Sequence, residues 1–402
     1  MKYIIILADG MADLPILALN GKTPMMVAKT PNLNKLMEKA EIGLVKTVPE
    51  GMKPGSDVAN LSVLGYNPKK CYTGRSPLEA VSIGVNLKDT DVTARANLVT
   101  LSDEAEYEDK TMIDYSAGEI STKEAVELIN YLKKYLDDDE YTLYPGISYR
   151  HCLIAEKGEV LESLTPPHDI TGKPIKEYLP KGVLGEKRLS IMKKSYELLK
   201  DHPVNINRIK LGKRPANSVW LWGEGTKPAL EDFYTLYGKK GAMISAVDLL
   251  KGIARSAGMQ VVEVEGATGN YDTNFSGKAE ACVKVLKDGA DFVYVHVEAP
   301  DECGHHGDLK NKIYSIEQID EKIIGYVVNE LEKISEPFAI LVTPDHPTPI
   351  SIMTHSVKPV PYLLYNSTKN LSNGAEGYSE EQAESTGLYV EDGYKLINKL
   401  FS

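Results

Sequence analysis

The chain begins Met1-Lys-Tyr-Ile-Ile-Ile-Leu-Ala-Asp9-Gly10. From Tyr3 to Ala8 it is an unbroken apolar run rich in isoleucine, and it stops at an acid followed by a glycine. A strand with one wet face alternates apolar and polar residues, whereas a continuous run marks a strand buried on both faces of a parallel sheet. The carboxyl ends of such strands carry chemistry in open α/β sheets, so Asp9 is the first candidate functional residue. Its other reading is a plain turn residue.

The same grammar returns toward the C-terminus. Ala242 to Ser245 reads as a strand, Ala246 to Ser256 as a helix, Val261 to Glu265 as a strand and Ser276 to Asp288 as a helix. Phe292 to Val297 is a buried strand ending near Asp301, Lys310 to Lys333 a long amphipathic helix, and Phe338 to Val342 a strand ending at Asp345-His346. Three strands thus end in candidate ligands. Near the start, Thr30 and Pro31 open a helix as cap and first turn, and Lys53 to Gly65 reads as loop, Ser56 cap, short helix and glycine stop. Asn366 to Ser385 reads as a polar surface region before a final helix.

A chain of 402 residues is long for one core and predicts two domains. Between 72 and 225 short alternating strands such as Val92 to Val99 and His151 to Ala155 are interleaved with helices such as Thr122 to Tyr135. The expected organisation is therefore an α/β domain made of 1–71 and 226–402, with a smaller α+β domain, 72–225, inserted in it. The net charge of −11 argues against nucleic acid as a partner, because a backbone-binding surface needs a basic excess. No apolar run approaches the roughly twenty residues of a membrane span, and the opening run is too short for a signal peptide. The four cysteines have no paired spacing and read as reduced thiols, so a cytoplasmic protein with no membrane partner is expected.

Five of the eight histidines (His296, His305, His306, His346 and His355) fall in the C-terminal stretch, beside Asp301 and Asp345. Imidazole and carboxylate are the donors that suit Zn, Mn, Fe or Co, and two groups of three or four would hold two ions. Ser56 reads either as an N-cap or as a hydroxyl at a helix start where phosphate is stabilised and where a metal would make it a nucleophile. Arg75, Arg95, Arg150 and His151 read either as solvated surface charge or as the groups that grip an anionic substrate. Cys303 and His168 read as bystanders, and His306 and Asp308 as groups orienting the ligands.

Together Ala8-Asp9-Gly10-Met11, Gly55-Ser56-Asp57-Val58-Ala59-Asn60-Leu61-Ser62 with Leu64-Gly65-Tyr66, Gly74-Arg75-Ser-Pro-Leu-Glu79-Ala80, Asp301-x-x-Gly-His305, Thr343-Pro-Asp345-His346 and His355-x-x-x-Pro-Val-Pro361 resemble the cofactor-independent phosphoglycerate mutases. The closer likeness is to their short archaeal-type branch, within the alkaline phosphatase superfamily, and it runs through essentially the whole chain. It implies an alkaline-phosphatase-like, mostly parallel sheet flanked by helices, with the inserted domain as a lid. It also implies two divalent ions, manganese or zinc foremost and cobalt or magnesium as alternatives, and no need of bisphosphoglycerate. One ion would be held by Asp301, His305 and His355, the other by Asp9, Ser56, Asp345 and His346. Ser56 would be the nucleophile that takes phosphate from 3-phosphoglycerate and returns it to the 2-hydroxyl.

Two places depart from that pattern. The branch commonly has a histidine where this chain has Asn60, and an arginine-rich stretch where it has Ile113 to Glu119. The departures fall among residues expected near the substrate. They leave two alternatives on the same machinery: homoserine kinase or another small-alcohol phosphotransferase, and a metal-dependent phosphatase or sulfatase-type hydrolase. The sequence leaves the oligomeric state open.

Overall fold

A computed structural model describes residues 1–161 and 164–402. It divides into two compact units, the first formed by Met1–Tyr72 with Ala229–Ser402, the second by Thr73–Pro228. Numbered along the chain, the strands are β1 (Lys2–Ala8), β2 (Glu41–Val45), β3 (Val92–Leu101), β4 (Met112–Asp114), β5 (Tyr141–Tyr144), β6 (Arg150–Ala155), β7 (Ser218–Thr226), β8 (Gly241–Ile244), β9 (Gln260–Val262), β10 (Phe292–Val297), β11 (Phe338–Thr343), β12 (Val360–Asn366) and β13 (Tyr389–Val390).

The first unit is built on an eight-stranded sheet in the order β13-β2-β12-β11-β1-β10-β8-β9. β1 lies between β10 and β11 and is parallel to both. Its residues Ile4 to Ala8 are completely buried, which is why its apolar run has no polar alternation. Because the three central strands run the same way, the residues that follow them (Asp9, Glu298 and Pro344) emerge at one edge. β12 is antiparallel to β11, with Val342 opposite Leu363, so the loop from 344 to 359 returns to that same edge before the chain re-enters the sheet. β2 is antiparallel to β12, with Val45 opposite Val360, and so it too ends there and releases the loop that leads to Ser56. The sheet is mixed rather than purely parallel, and its two antiparallel pairings are what bring two further segments to the working edge.

Two expected helices differ in instructive ways. The chain from 309 to 333 is helical throughout but contains a π-turn at Ile319–Ile324. That turn presents Asp320, whose carboxylate accepts the N–H groups of Asn32 (3.1 Å) and Leu33 (2.7 Å) at the start of the helix Pro31–Met37. Thr30 occupies the N-cap position of that helix without a side-chain cap bond, since a residue nearly three hundred positions away does the capping. The segment 366–385 is less polar in space than in sequence. Tyr378 is buried, its hydroxyl donating to the carbonyls of Val342 (2.9 Å) and Pro361 (3.0 Å), and a helix forms at Glu380–Ser385.

The second unit is an antiparallel sheet centred on β3, which pairs with β4, β6 and β7, while β5 pairs with β6. One face packs the helices Thr122–Leu136 and Gly182–Leu199 over a core that includes Leu128, Leu132, Met192, Leu153 and Trp220.

Candidate metal centre and nucleophile

At the sheet edge of the first unit the strand-end acids meet. Asp9 leaves β1 with its N–H bonded to the carbonyl of Val297 at 2.9 Å, which fixes it beside the end of β10. Gly10 follows with φ +60, and a Cβ there would lie 2.5 Å from Asp301 Oδ1, so only glycine lets the chain turn against that carboxylate. Asp301 and His305 lie on the short helix Ala299–His305, one turn apart, which puts both side chains on one face.

Seven side chains expected as ligands all arrive here. Asp301 Oδ2 lies 3.3 Å from His305 Nε2, and Asp301 Oδ1 lies 3.5 Å from His355 Nε2. His346 Nε2 lies 3.3 Å from Ser56 Oγ, 3.3 Å from Asp345 Oδ2 and 3.6 Å from Asp9 Oδ1. Two triplets, Asp301–His346–His355 and Asp9–Asp345–His346, each bring their donor atoms within 4.8 Å of one another. His346 stands in both, and its ring stacks on His355 at 3.9 Å, so the two groups adjoin.

The surrounding hydrogen bonds aim the donors. His305 donates Nδ1–H to the carbonyl of Met353 at 3.1 Å and His355 donates Nδ1–H to that of Pro54 at 3.3 Å. Thr348 donates its hydroxyl to Asp301 Oδ1, so it accepts Nδ1–H from His346 at 3.2 Å. Each of the three imidazoles therefore presents a bare Nε2 lone pair to the interior of the cluster. Those of His305 and His355 face each other at 2.9 Å, a repulsive contact unless a cation lies among them or a ring is protonated.

His296 does the same for Asp9. Ser245 Oγ accepts the N–H of Val247 at 3.0 Å and donates to His296 Nδ1 at 3.2 Å, which leaves Nε2–H to donate to Asp9 Oδ2 at 2.8 Å. Asp9 Oδ1 is buried and meets no hydrogen-bond donor. Burial, reinforced by Asp345 and Asp301, pushes the Asp9 carboxyl well above its ordinary range. Burial also acts to raise Asp301, but with no cation bound, donation from His305 and His355 in their protonated forms outweighs that and holds it well below the usual carboxylate range. Three clustered carboxylates, an orphaned carboxylate oxygen and convergent imidazole lone pairs are the donor set of a divalent metal centre.

Ser56 is not an N-cap. Gly55 holds that position, the helix runs Ser56–Val63, and Asp57 takes the N–H of Val58 at 2.9 Å. The serine hydroxyl faces His346 instead. His296, Tyr294 and Thr348 enter this site without having been singled out as ligands or positioners. The signal for the first two was a tyrosine and a histidine two residues apart in the strand Phe292–Val297, every residue of which is buried.

In the second unit, Arg75, Arg95 and Arg150 gather about Glu79. Arg75 Nε donates to Glu79 Oε1 at 2.8 Å and Arg95 Nε lies 2.9 Å from Oε2. Burial raises Glu79, yet Arg95 and Arg75, with Arg150, bring its carboxyl below its ordinary range. The Arg95 guanidinium also stacks 4.1 Å above Trp222. His151 does not join them. It pairs with Ala96 while Arg95 pairs with Cys152, so it lies on the opposite face of the sheet. There it is buried, accepts the N–H of Gly146 at 3.0 Å, and has its pKa pushed down to about 3, chiefly by burial.

Among the described residues, no helix is long and apolar enough to cross a membrane. Residues 38–205 match the family model of the 2,3-bisphosphoglycerate-independent phosphoglycerate mutases. The chain is 50% identical over 401 residues to the 2,3-bisphosphoglycerate-independent phosphoglycerate mutase of Methanosarcina barkeri, covering 100% of this chain and 99% of that one. Among solved structures, a Pyrococcus horikoshii protein superposes with a TM-score of 0.82 at 32% identity, covering 100% of this chain and 96% of that one. The cofactor-independent phosphoglycerate mutase of Thermoplasma acidophilum follows at a TM-score of 0.68 and 27% identity, with 100% and 99% covered.

Proposed function

This chain belongs to the 2,3-bisphosphoglycerate-independent phosphoglycerate mutase family, and from that premise we propose that it interconverts 3-phosphoglycerate and 2-phosphoglycerate through a phosphoserine at Ser56. The observation that carries the reading is the place of Ser56. Its hydroxyl is released from capping and set at a helix start 3.3 Å from His346 Nε2, the same nitrogen that lies 3.6 Å from the unpartnered Asp9 Oδ1.

Asp301, His305 and His355 would hold one divalent ion, and Asp9, Ser56, Asp345 and His346 a second, with manganese or zinc the species best matched to this mixture of imidazole and carboxylate. When bound, such ions neutralise the charge of the phosphoryl group and lower the pKa of the serine hydroxyl. In the forward half-reaction Ser56 Oγ forms a bond to phosphorus as the bond between phosphorus and the 3-oxygen breaks, and the serine proton passes to that oxygen. In the second half the 2-hydroxyl of the glycerate attacks phosphorus, the Oγ–P bond breaks, and the proton returns to Ser56. Nothing is consumed, so neither bisphosphoglycerate nor nucleotide is required. Arg75, Arg95 and Arg150 are proposed to bind the carboxylate or phosphate of this substrate, since planar guanidinium forks match both. The four cysteines, all free and buried, support a reducing, cytoplasmic setting.

The test is rapid-quench assay of the metal-loaded protein with 3-phosphoglycerate labelled in its phosphoryl group. Label trapped on Ser56 in the wild type, and neither label nor turnover in Ser56→Ala, is the expected result. Turnover that survives Ser56→Ala removes the covalent step. Phosphorylation of homoserine from ATP without mutase turnover, or release of free phosphate faster than isomerisation, replaces the reading.

A further inference from the structure

Asn60 is completely buried four residues beyond Ser56 in the same helix, so the two share a face. Its amide nitrogen donates one hydrogen to the Ser56 carbonyl at 2.8 Å and the other to Asp345 Oδ2 at 2.9 Å. Its amide oxygen accepts the hydroxyl of Tyr294 at 2.6 Å, and Tyr294 is itself completely buried in β10. The orientation is forced. A flipped amide would set its oxygen against both the Ser56 carbonyl and the Asp345 carboxylate, and would leave buried acceptors unmet.

Asp345 is thereby held by donors from three directions. Oδ1 accepts the N–H of Gly10 at 3.1 Å and that of His346 at 2.9 Å, and Oδ2 accepts Asn60. The first two come from the backbone at the ends of β1 and β11. Only the third ties the carboxylate to the helix of Ser56. An amide suits that task because it is a donor without a charge: it orients the carboxylate yet does not compete with a cation for it.

We propose that Asn60 is a positioning residue of the phosphotransfer site, with Tyr294 as its lock: it fixes the spacing between the Ser56 helix and the Asp345 carboxylate, so that nucleophile and ligand act as one piece. The proposal rests on Ser56 being the nucleophile and Asp345 a ligand, as argued above. It gives the departure at position 60 a physical role, and places that role on the nucleophile's side of the reaction rather than on recognition of the substrate.

Asn60→Ala and Tyr294→Phe test it through three measurements: calorimetric titration of the metal-free protein with Mn2+, kcat and KM on 3-phosphoglycerate, and the melting temperature of the metal-free protein. Outer-shell partners of ligands typically set metal affinity or activity by 10–100-fold, so Asn60→Ala is expected to weaken Mn2+ binding and lower kcat by about that factor, with KM within about twofold. Tyr294→Phe keeps both amide donors but loses their lock, and a smaller loss in the same two quantities is expected; it carries the test alone if Asn60→Ala does not fold. Mn2+ affinity and kcat within about twofold of wild type in both variants, with only the melting temperature lowered, would reduce the network to packing and overturn the proposal. A raised KM at unchanged kcat would move Asn60 to substrate binding and overturn it equally. If the wild type fails to isomerise phosphoglycerate while both variants still weaken Mn2+ binding, the mutase reading falls and the positioning of Asp345 stands.

Discussion

Replacing Lys312 by methionine should destabilise the metal-free protein by about 3 kcal/mol. The side chains of Lys312 and Asp13 are both wholly buried, and their charged atoms are 2.8 Å apart. The same ammonium donates to the carbonyls of Thr348 at 2.8 Å and Ala12 at 3.4 Å. It therefore pins the loop after β1, which carries Asp9, to the loop after β11, which carries Asp345 and His346. Methionine fills similar space but leaves a buried carboxylate without its cation and takes a donor from the Thr348 carbonyl, while the Ala12 carbonyl keeps the N–H of Thr348 at 3.2 Å. Breaking one side of a buried pair typically costs about 3–5 kcal/mol. Asp13 keeps two backbone donors, Leu14 at 2.8 Å and Ile350 at 3.2 Å, which places the loss at the lower end. At roughly 2–4 °C per kcal/mol this lowers the melting temperature by about 6–12 °C. Both tryptophans lie in the second unit, so their fluorescence follows the wrong part of the molecule, and scanning calorimetry is the appropriate assay. The double variant Asp13→Asn with Lys312→Met removes both charges and should recover about half of the loss, since an uncharged pair of similar volume is tolerated far better than a lone buried ion. A single variant within about 0.5 kcal/mol of wild type, or a double variant no more stable than the single one, would show that the pair does not clamp the two loops.

Chelation of the metal should abolish turnover while far-UV circular dichroism stays native, because the ligands stand on strand ends and helices held by their own cores; complete unfolding on chelation would refute a catalytic role. Returning Mn2+ at about a hundred times its dissociation constant should stabilise the protein by about 2.7 kcal/mol. Glu79→Gln should release Arg75 and Arg95 from their shared carboxylate and raise KM for 3-phosphoglycerate about tenfold with little change in kcat, and a fall confined to kcat would contradict substrate binding by that cluster. His151 has a folded pKa of about 3 against an ordinary 6.5, so as pH falls through that interval the unfolded chain takes up a proton that the folded one refuses, and stability is lost. His151→Gln should flatten the dependence of urea-unfolding stability on pH across that window; an unchanged slope would mean that the ring is not buried in the neutral form.

How far the sequence reached was set by the range of the interaction concerned. The central strands were legible because burial on both faces writes itself into consecutive residues, as in Ile4 to Ala8, and parallel order then requires that their downstream acids meet. Residues that act across the sheet left no local trace. Ser56 looked like a cap because serine before a short helix usually is one, and only the proximity of His346, 290 positions away, shows that the hydroxyl is engaged elsewhere. Thr30 looked like a cap for the same reason, and Asp320 displaced it from the far side of the fold. His151 followed Arg150 in sequence and was grouped with it, yet neighbours in a strand point to opposite faces, and the pleat that exposes one buries the other. Polar residues in fully buried strands were the signal left unused. A tyrosine and a histidine at the alternating positions 294 and 296 of β10, a strand buried throughout, must find partners or cost several kcal/mol. Tyr294 reaches Asn60 and His296 reaches Asp9, so both buried polar side chains of that strand bond into the candidate site.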